Sequence, residues 1–241
     1  MMAFMVIGIA SVLAGFLQAV TGFGSPMILM MVVPYFYSMV EAPAVANSIS
    51  IWLAATLAWK FRKHIDWKSG LFPTAIFFLF NVVSAQYAKE IDLKFLSLAF
   101  GVFLVVLAAY FFLFSKKKPF PANWITAVLC GSISGITSGL FGIGGPLMAI
   151  YFVTATKTKE NYIGNLQFLF TTSTLASMAI RVVNGIYTVD MLPITLVGVA
   201  CIMVGKRLGL RLLNKLDPEK TKKIVYAFVG ISGLINVIQC L

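Results

Sequence analysis

Charge is what this sequence most lacks. Only 11% of its 241 residues are charged, against roughly 25% in a soluble domain. Hydrophobic residues make up 60%, and the mean hydropathy is +0.93. A chain so short of charge cannot cover a water-facing surface, which excludes a soluble globular protein and leaves a polytopic membrane protein. The length suits roughly eight to ten apolar segments of about 20 residues, with no soluble domain left over. Acidic residues are scarcest: Glu41, Asp66, Glu90, Asp92, Glu160, Asp190, Asp217 and Glu219 all lie at segment ends or in loops. Proton- and sodium-coupled carriers commonly hold a carboxylate in mid-membrane. Its absence argues against a cation substrate and against a carboxylate proton relay. Histidine occurs once, as His64 in a basic loop, and Cys130, Cys201 and Cys240 are odd in number and in apolar surroundings. They offer neither a disulfide framework nor a metal site. With no Ser/His/Asp set and no paired buried carboxylates, neither a cofactor nor an enzymatic activity is expected. The apolar N-terminus lacks the basic region of a cleaved signal peptide, so it is expected to stay in the mature protein.

What is present is positive charge in short loops, giving a formal net charge of +11. The cations cluster at Lys60, Arg62, Lys63 and Lys68; at Lys116, Lys117 and Lys118; at Lys206, Arg207, Arg211 and Lys215; and at Lys220, Lys222 and Lys223. Loops facing the cytoplasm explain this more simply than nucleic acid does. The expected partners are a lipid bilayer and a small anion, with no nucleic acid; nothing in the sequence bears on oligomeric state.

One stretch organises the rest. Gly22-Phe23-Gly24-Ser25-Pro26 interrupts an apolar run that otherwise continues to Tyr37, and it recurs 120 residues later as Gly142-Ile143-Gly144-Gly145-Pro146. Gly15 falls on Gly135, Met27 on Leu147 and Pro73 on Pro193. Glycine weakens a helix interior and proline removes a donor, and in hydrocarbon such a break survives only where protein or a polar cavity lines it. The chain is therefore an internal duplication. Residues 1–115 form a first repeat, 116–122 a cytoplasmic linker and 123–241 a second repeat.

The expected segments are 1a (2–20), 1b (26–37), 2 (43–59), 3 (71–87) and 4 (95–114), then 5a (124–139), 5b (146–154), 6 (162–183), 7 (191–213) and 8 (224–241). Trp59, Trp67 and Trp124 lie near segment ends, as interfacial aromatics do. If each break let the chain cross once, the basic 206–223 loop would fall opposite the other basic loops. If each break turns the chain back, all of them share one side. The second reading gives an all-α membrane protein of two inverted repeats, each with a broken re-entrant helix pair plus three transmembrane helices, and with both termini outside the cytoplasm. Inverted repeats with broken helices are a transporter arrangement.

A helix opening at Pro26 or Pro146 points unpaired N–H groups and a positive dipole end at the break, which favours an anion. The candidate binding residues are Thr21, Gly22, Gly24, Ser25 and Pro26 in the first half, and Gly142, Gly144, Gly145 and Pro146 in the second. Asn47 and Asn165 are expected at corresponding places in segments 2 and 6. Gln18, Thr137 and Ser138 can add neutral donors. Beside this stands a packing role for glycine, as in the small-xxx-small run Gly131, Gly135 and Gly139; packing alone does not require a proline after the glycines in both halves.

The duplicated Gly-x-Gly-[Gly/Ser]-Pro motif resembles the TauE/SafE family of sulfite and organosulfonate exporters. The resemblance is carried by Gly15, Gly22, Gly24 and Pro26, by Gly135, Gly139, Gly142, Gly144, Gly145 and Pro146, and by His64-Ile65-Asp66-Trp67. It departs at Ser25, where the family usually has a small glycine, and near Asn47 and Asn165, where it often has threonine. The resemblance implies a carrier of a small sulfur-containing or carboxylate anion across the cytoplasmic membrane. An anion channel using the same breaks as a filter, and a membrane scaffold or integral enzyme, are the alternatives.

Overall fold

Each Gly/Pro break ends one helix and opens another. In the structure, a computed structural model describing residues 1–114 and 121–212, α1 (Met2–Thr21) stops at Gly22 and α2 (Ser25–Met30) starts three residues beyond it. In the second half α6 (Trp124–Phe141) stops at Gly142 and α7 (Gly145–Ala155) follows. The remaining helices are α3 (Ala42–Phe61), α4 (Trp67–Tyr87), α5 (Leu93–Phe114), α8 (Lys159–Val183) and α9 (Leu192–Leu212). Among the described residues every element is helical. Lys116, Lys117 and Lys118 of the linker, the basic residues from Lys215 to Lys223, Cys240 and segment 8 lie outside them.

Among the described residues six helices, α1, α3, α4, α6, α8 and α9, are long and apolar enough to cross a membrane, which makes this a multi-pass membrane protein. Segments 1a and 5a match their expected spans to within one and two residues at their C-terminal ends. With 20 and 18 residues, each is about 30 Å long and runs directly into its break. Segment 1b is shorter than expected; α2 gives way after six residues to a 3-10 turn at Val33–Tyr35. Two helices start earlier than their apolar runs because polar caps open them. Asp66 accepts the Lys68 N–H at 3.2 Å ahead of α4, and Thr158 accepts the Asn161 N–H at 3.1 Å ahead of α8.

Glycine lets two helix pairs close up. A Cβ on Gly15 would collide with the carbonyl of Ile202, and one on Gly205 with that of Val12, so α1 and α9 lie backbone to backbone. On the other flank a Cβ on Gly135 would sit 2.6 Å from Phe77 O and one on Gly139 2.5 Å from Asn81 O, seating α6 on α4. The two pairs correspond when the halves are exchanged, since α1 matches α6 and α9 matches α4. Between them α3 packs on α8.

Specific contacts give the helix directions. Gly8 lies by Val197 and Cys201, and Gly209 by Phe16 and Ala19, so α1 and α9 run the same way. Ser48 meets Thr195 and Thr56 meets Lys206, so α3 runs with α9. Gly131 lies by Pro73 and Gly139 by Ala85, so α6 runs with α4. Asn165 meets Asp66 and Asn184 meets Gln86, so α8 runs with α4. Gly164 sits by Phe61 and Arg181 by Val40, which sets α8 antiparallel to α3.

Candidate functional site

The first break is held open by polar bonds from both halves. Gly22 takes a left-handed φ of 87° and its N–H closes α1 on Gln18 O at 2.8 Å. Gly142 repeats this with φ 73°, bonding Ser138 O at 2.8 Å. Only glycine adopts that conformation without strain. The Gln18 side chain reaches over the break: its Oε1 accepts the Ser25 N–H at 3.2 Å and the Ser25 hydroxyl, and its Nε2 donates to Gln167 Oε1 at 3.1 Å. Gln167 Nε2 in turn donates to Gly22 O at 2.5 Å. All of these groups are buried. Unpaired, each would cost of order 1–3 kcal/mol.

The two breaks meet. One cavity is lined by Gly24, Ser25, Pro26 and Met27 from the first and by Gly142 to Pro146 from the second. Gln18 and Ser138 complete its ends, while α3 contributes Ser50 and Ala54 and α8 contributes Phe170 and Thr174. Ser50 and Thr174 stand near the middle of their helices. The free interior is about 30 Å³, room for about two waters, so an oxyanion fits only if the walls part. No charged side chain lines the cavity.

The breaks are alike in sequence and unlike in detail. Ser25 N–H, at the opening of α2, is taken by Gln18. Ser138 occupies the place of Gln18 in the second half and lies 3.0 Å from the Asn81 amide instead, so no side chain caps the opening of α7. The Ser50 hydroxyl, 5% exposed, has no hydrogen-bond partner. Gly24 has a left-handed φ of 107°, whereas Gly144 does not, and a Cβ there would sit 2.5 Å from Ser134 O.

Of the residues expected at the site, Gly24, Ser25, Pro26, Gly142, Gly144, Gly145 and Pro146 line the cavity together, with Gln18 and Ser138. Gly22 lies just behind it. Thr21 turns inward on its own helix end, donating to Leu17 O at 3.0 Å and Phe23 O at 2.7 Å. Thr137 bonds within α6. Asn47 backs Gly142, its Oδ1 3.0 Å from where a Cβ would be. Asn165 is elsewhere. It accepts the Asp66 N–H at 2.8 Å and ties α8 to the start of α4. At the 120-residue offset the counterpart of Asn47 is Gln167, two positions on; each faces the glycine that ends the other half's first helix. Counting the offset strictly would have found Gln167, and with it the Gln18 to Gln167 bridge. Ser50 and Thr174 gave only a weak signal, a hydroxyl at helical spacing from Asn47 and from Gln167.

A protein-family model described as sulfite exporter TauE/SafE matches residues 7–235. A "Probable membrane transporter protein" of Methanocaldococcus jannaschii is 23% identical, over 95% of this chain and 94% of its own. A "Probable sulfite/organosulfonate exporter TauE" of Cupriavidus necator is 24% identical, over 90% of this chain and 88% of its own. A "Probable membrane transporter protein" of Bacillus subtilis is 24% identical, over 80% of this chain and 84% of its own. Family and relatives are named as transporters or exporters and none as an enzyme. No solved structure matches the chain.

Proposed function

The chain belongs to the sulfite exporter TauE/SafE family, and from that premise we propose that it exports a small oxyanion, sulfite or an organosulfonate, by alternating access around the cavity between its two breaks. The supporting observation is that one narrow cavity receives both breaks, with an uncapped opening of α7 and a partnerless Ser50 hydroxyl. Free N–H groups and the positive end of a helix dipole suit an anion. A cavity whose polar groups are all neutral binds an anion without trapping it, which a carrier needs. Its narrowness favours a carrier over an open pore, because an oxyanion enters only when the walls part.

The two repeats are inverted, 1–115 against 123–241, and each break returns the chain toward the side it came from. The support lies in the directions: α1 and α3 run together although α2 alone separates them, and each of α1, α3 and α4 runs opposite to its counterpart α6, α8 or α9. The basic loops then face the cytoplasm and both termini face outward.

Export needs no coupled cation. An anion leaving an inside-negative cell gains about 2.3 kcal/mol per charge per 100 mV, and no titratable side chain lines the cavity to carry a proton. In proteoliposomes loaded with sulfite, with potassium and valinomycin setting the potential at equal pH, saturable efflux is expected to rise with an outward driving potential. Flux that ignores the potential and stops when a pH gradient collapses would refute the uncoupled mechanism. Absence of flux for sulfite, thiosulfate, sulfoacetate, taurine and small carboxylates alike would refute the transport reading.

A further inference from the structure

The two helices that cross at the cavity leave it very differently. On α8 the residues Phe170, Thr174, Ser177 and Arg181 fall on one face at helical spacing, running from the cavity wall toward the end of the helix over about 10 Å. Ser177 and Arg181 are fully buried, and the neighbouring Ser173 is 1% exposed with a partnerless hydroxyl. The corresponding positions on α3 are Leu53, Leu57 and Phe61, all apolar. On this face of α8 polar side chains therefore run from the cavity wall to a buried cation, where the matching positions of α3 are apolar.

Arg181 itself is incompletely satisfied. Nη1 donates to Val40 O at 3.0 Å and Nη2 to Gly139 O at 2.5 Å, while Nε has no partner. Gly139 adjoins Ser138 of the cavity wall, so the guanidinium lies just beyond that wall. Two carbonyls cannot neutralise a buried charge, and arginine within a membrane-spanning helix is costly unless something compensates it. Its partners among the described residues are those carbonyls. The guanidinium is a fork of donors suited to an oxyanion.

We propose that Arg181 is a second anion site, one step beyond the cavity, where a small oxyanion pauses on the side of the membrane at which α8 ends. The site rests on the transport reading above. The polar stripe connects the cavity wall to Arg181, and the buried, incompletely paired charge holds the anion at that end of α8.

The test is sulfite transport by the full-length protein in vesicles sorted by orientation, giving an apparent KM at each membrane face. Arg181→Gln is expected to raise KM about tenfold at the face where α8 ends, as for loss of one charge-assisted hydrogen bond. KM at the other face should stay within about twofold. Arg181→Lys keeps the charge and should recover most of the loss at that face. A purely structural clamp would lower the maximal rate and shift both faces alike, and that result overturns the site. If Arg181→Gln does not give folded protein, Ser177→Ala carries the test, with a smaller rise confined to the same face; equal KM at both faces overturns the proposal. Absence of saturable flux of sulfite and of every other anion tried, in the unsubstituted protein, overturns the transport reading and this site with it.

Discussion

Replacing Gln167 by leucine keeps the bulk of the side chain and removes the amide that bridges the two halves. Two hydrogen bonds disappear, Gln18 Nε2 to Gln167 Oε1 at 3.1 Å and Gln167 Nε2 to Gly22 O at 2.5 Å. The groups left behind, the Gln18 amide and the Gly22 carbonyl, are both buried. Leaving two such groups unpaired costs about 2–6 kcal/mol by the soluble-protein scale. Interhelical bonds in membranes measure nearer 0.6–2 kcal/mol each, because the unfolded chain finds other partners, so we expect a loss of about 1–4 kcal/mol. The assay is reversible unfolding in mixed micelles, run as a cycle with Gln18→Leu. The single variants should each be destabilised, and the double variant should be less destabilised than their sum by about 1–2 kcal/mol. Transport should fall as well, since the Gln18 side chain that positions Ser25 loses its own anchor. A loss under about 0.5 kcal/mol, or strict additivity, would refute the claim that these side chains join the halves at the break.

Gly15→Val should prevent recovery of monodisperse protein, since the added atoms meet the Ile202 backbone, which cannot give way, and exceed ordinary overpacking of about 1–3 kcal/mol. Gly8→Ala, whose Cβ would lie 3.4 Å from Cys201 Sγ, should be tolerated; equal behaviour of the two in size-exclusion profiles would refute the close α1–α9 contact. Ser50→Ala should weaken anion affinity about three- to tenfold and leave thermal stability unchanged or slightly higher, because the hydroxyl has no partner within the protein. The Ser69 hydroxyl, with the Ser69 and Lys68 N–H groups and the charge of Lys157, holds the Asp66 carboxyl below its usual range. A depressed folded-state pKa means the stabilisation is present above the unfolded value near about 4 and is lost as the pH falls below it. Asp66→Asn should therefore flatten the acid side of the stability profile, and an unchanged slope would count against this cap.

The broad architecture was legible because the hydrophobic runs, the loop cations and the repeated Gly-Pro break are all local patterns. Proline and glycine mark a helix end whatever surrounds them. Helix starts were less legible where a polar cap lies outside the apolar run, as at Asp66 and Thr158. The convergence of both breaks on one cavity was expected from the duplication, and the capping of only one of them was not: Gln18 and Ser138 differ at one position, and what each side chain reaches is set by tertiary packing. Asn165 misled because polar residues cluster at the start of α8, and two residues separate one facing the break from one facing α4. Arg181 was hidden by its position near a helix end, where a cation reads as a loop charge; its spacing from Thr174 and Ser177 was the available sign.

The central claim is that an anion binds between the two breaks. Crystals of the full-length protein soaked with selenite, a heavier analogue of sulfite, and measured at the selenium absorption edge would locate the anion directly. The account predicts an anomalous peak between Ser25-Pro26 and Gly144-Pro146, within hydrogen-bond reach of Ser50. Selenium peaks confined to the loops or the membrane-facing surface, with none in the cavity, would contradict it.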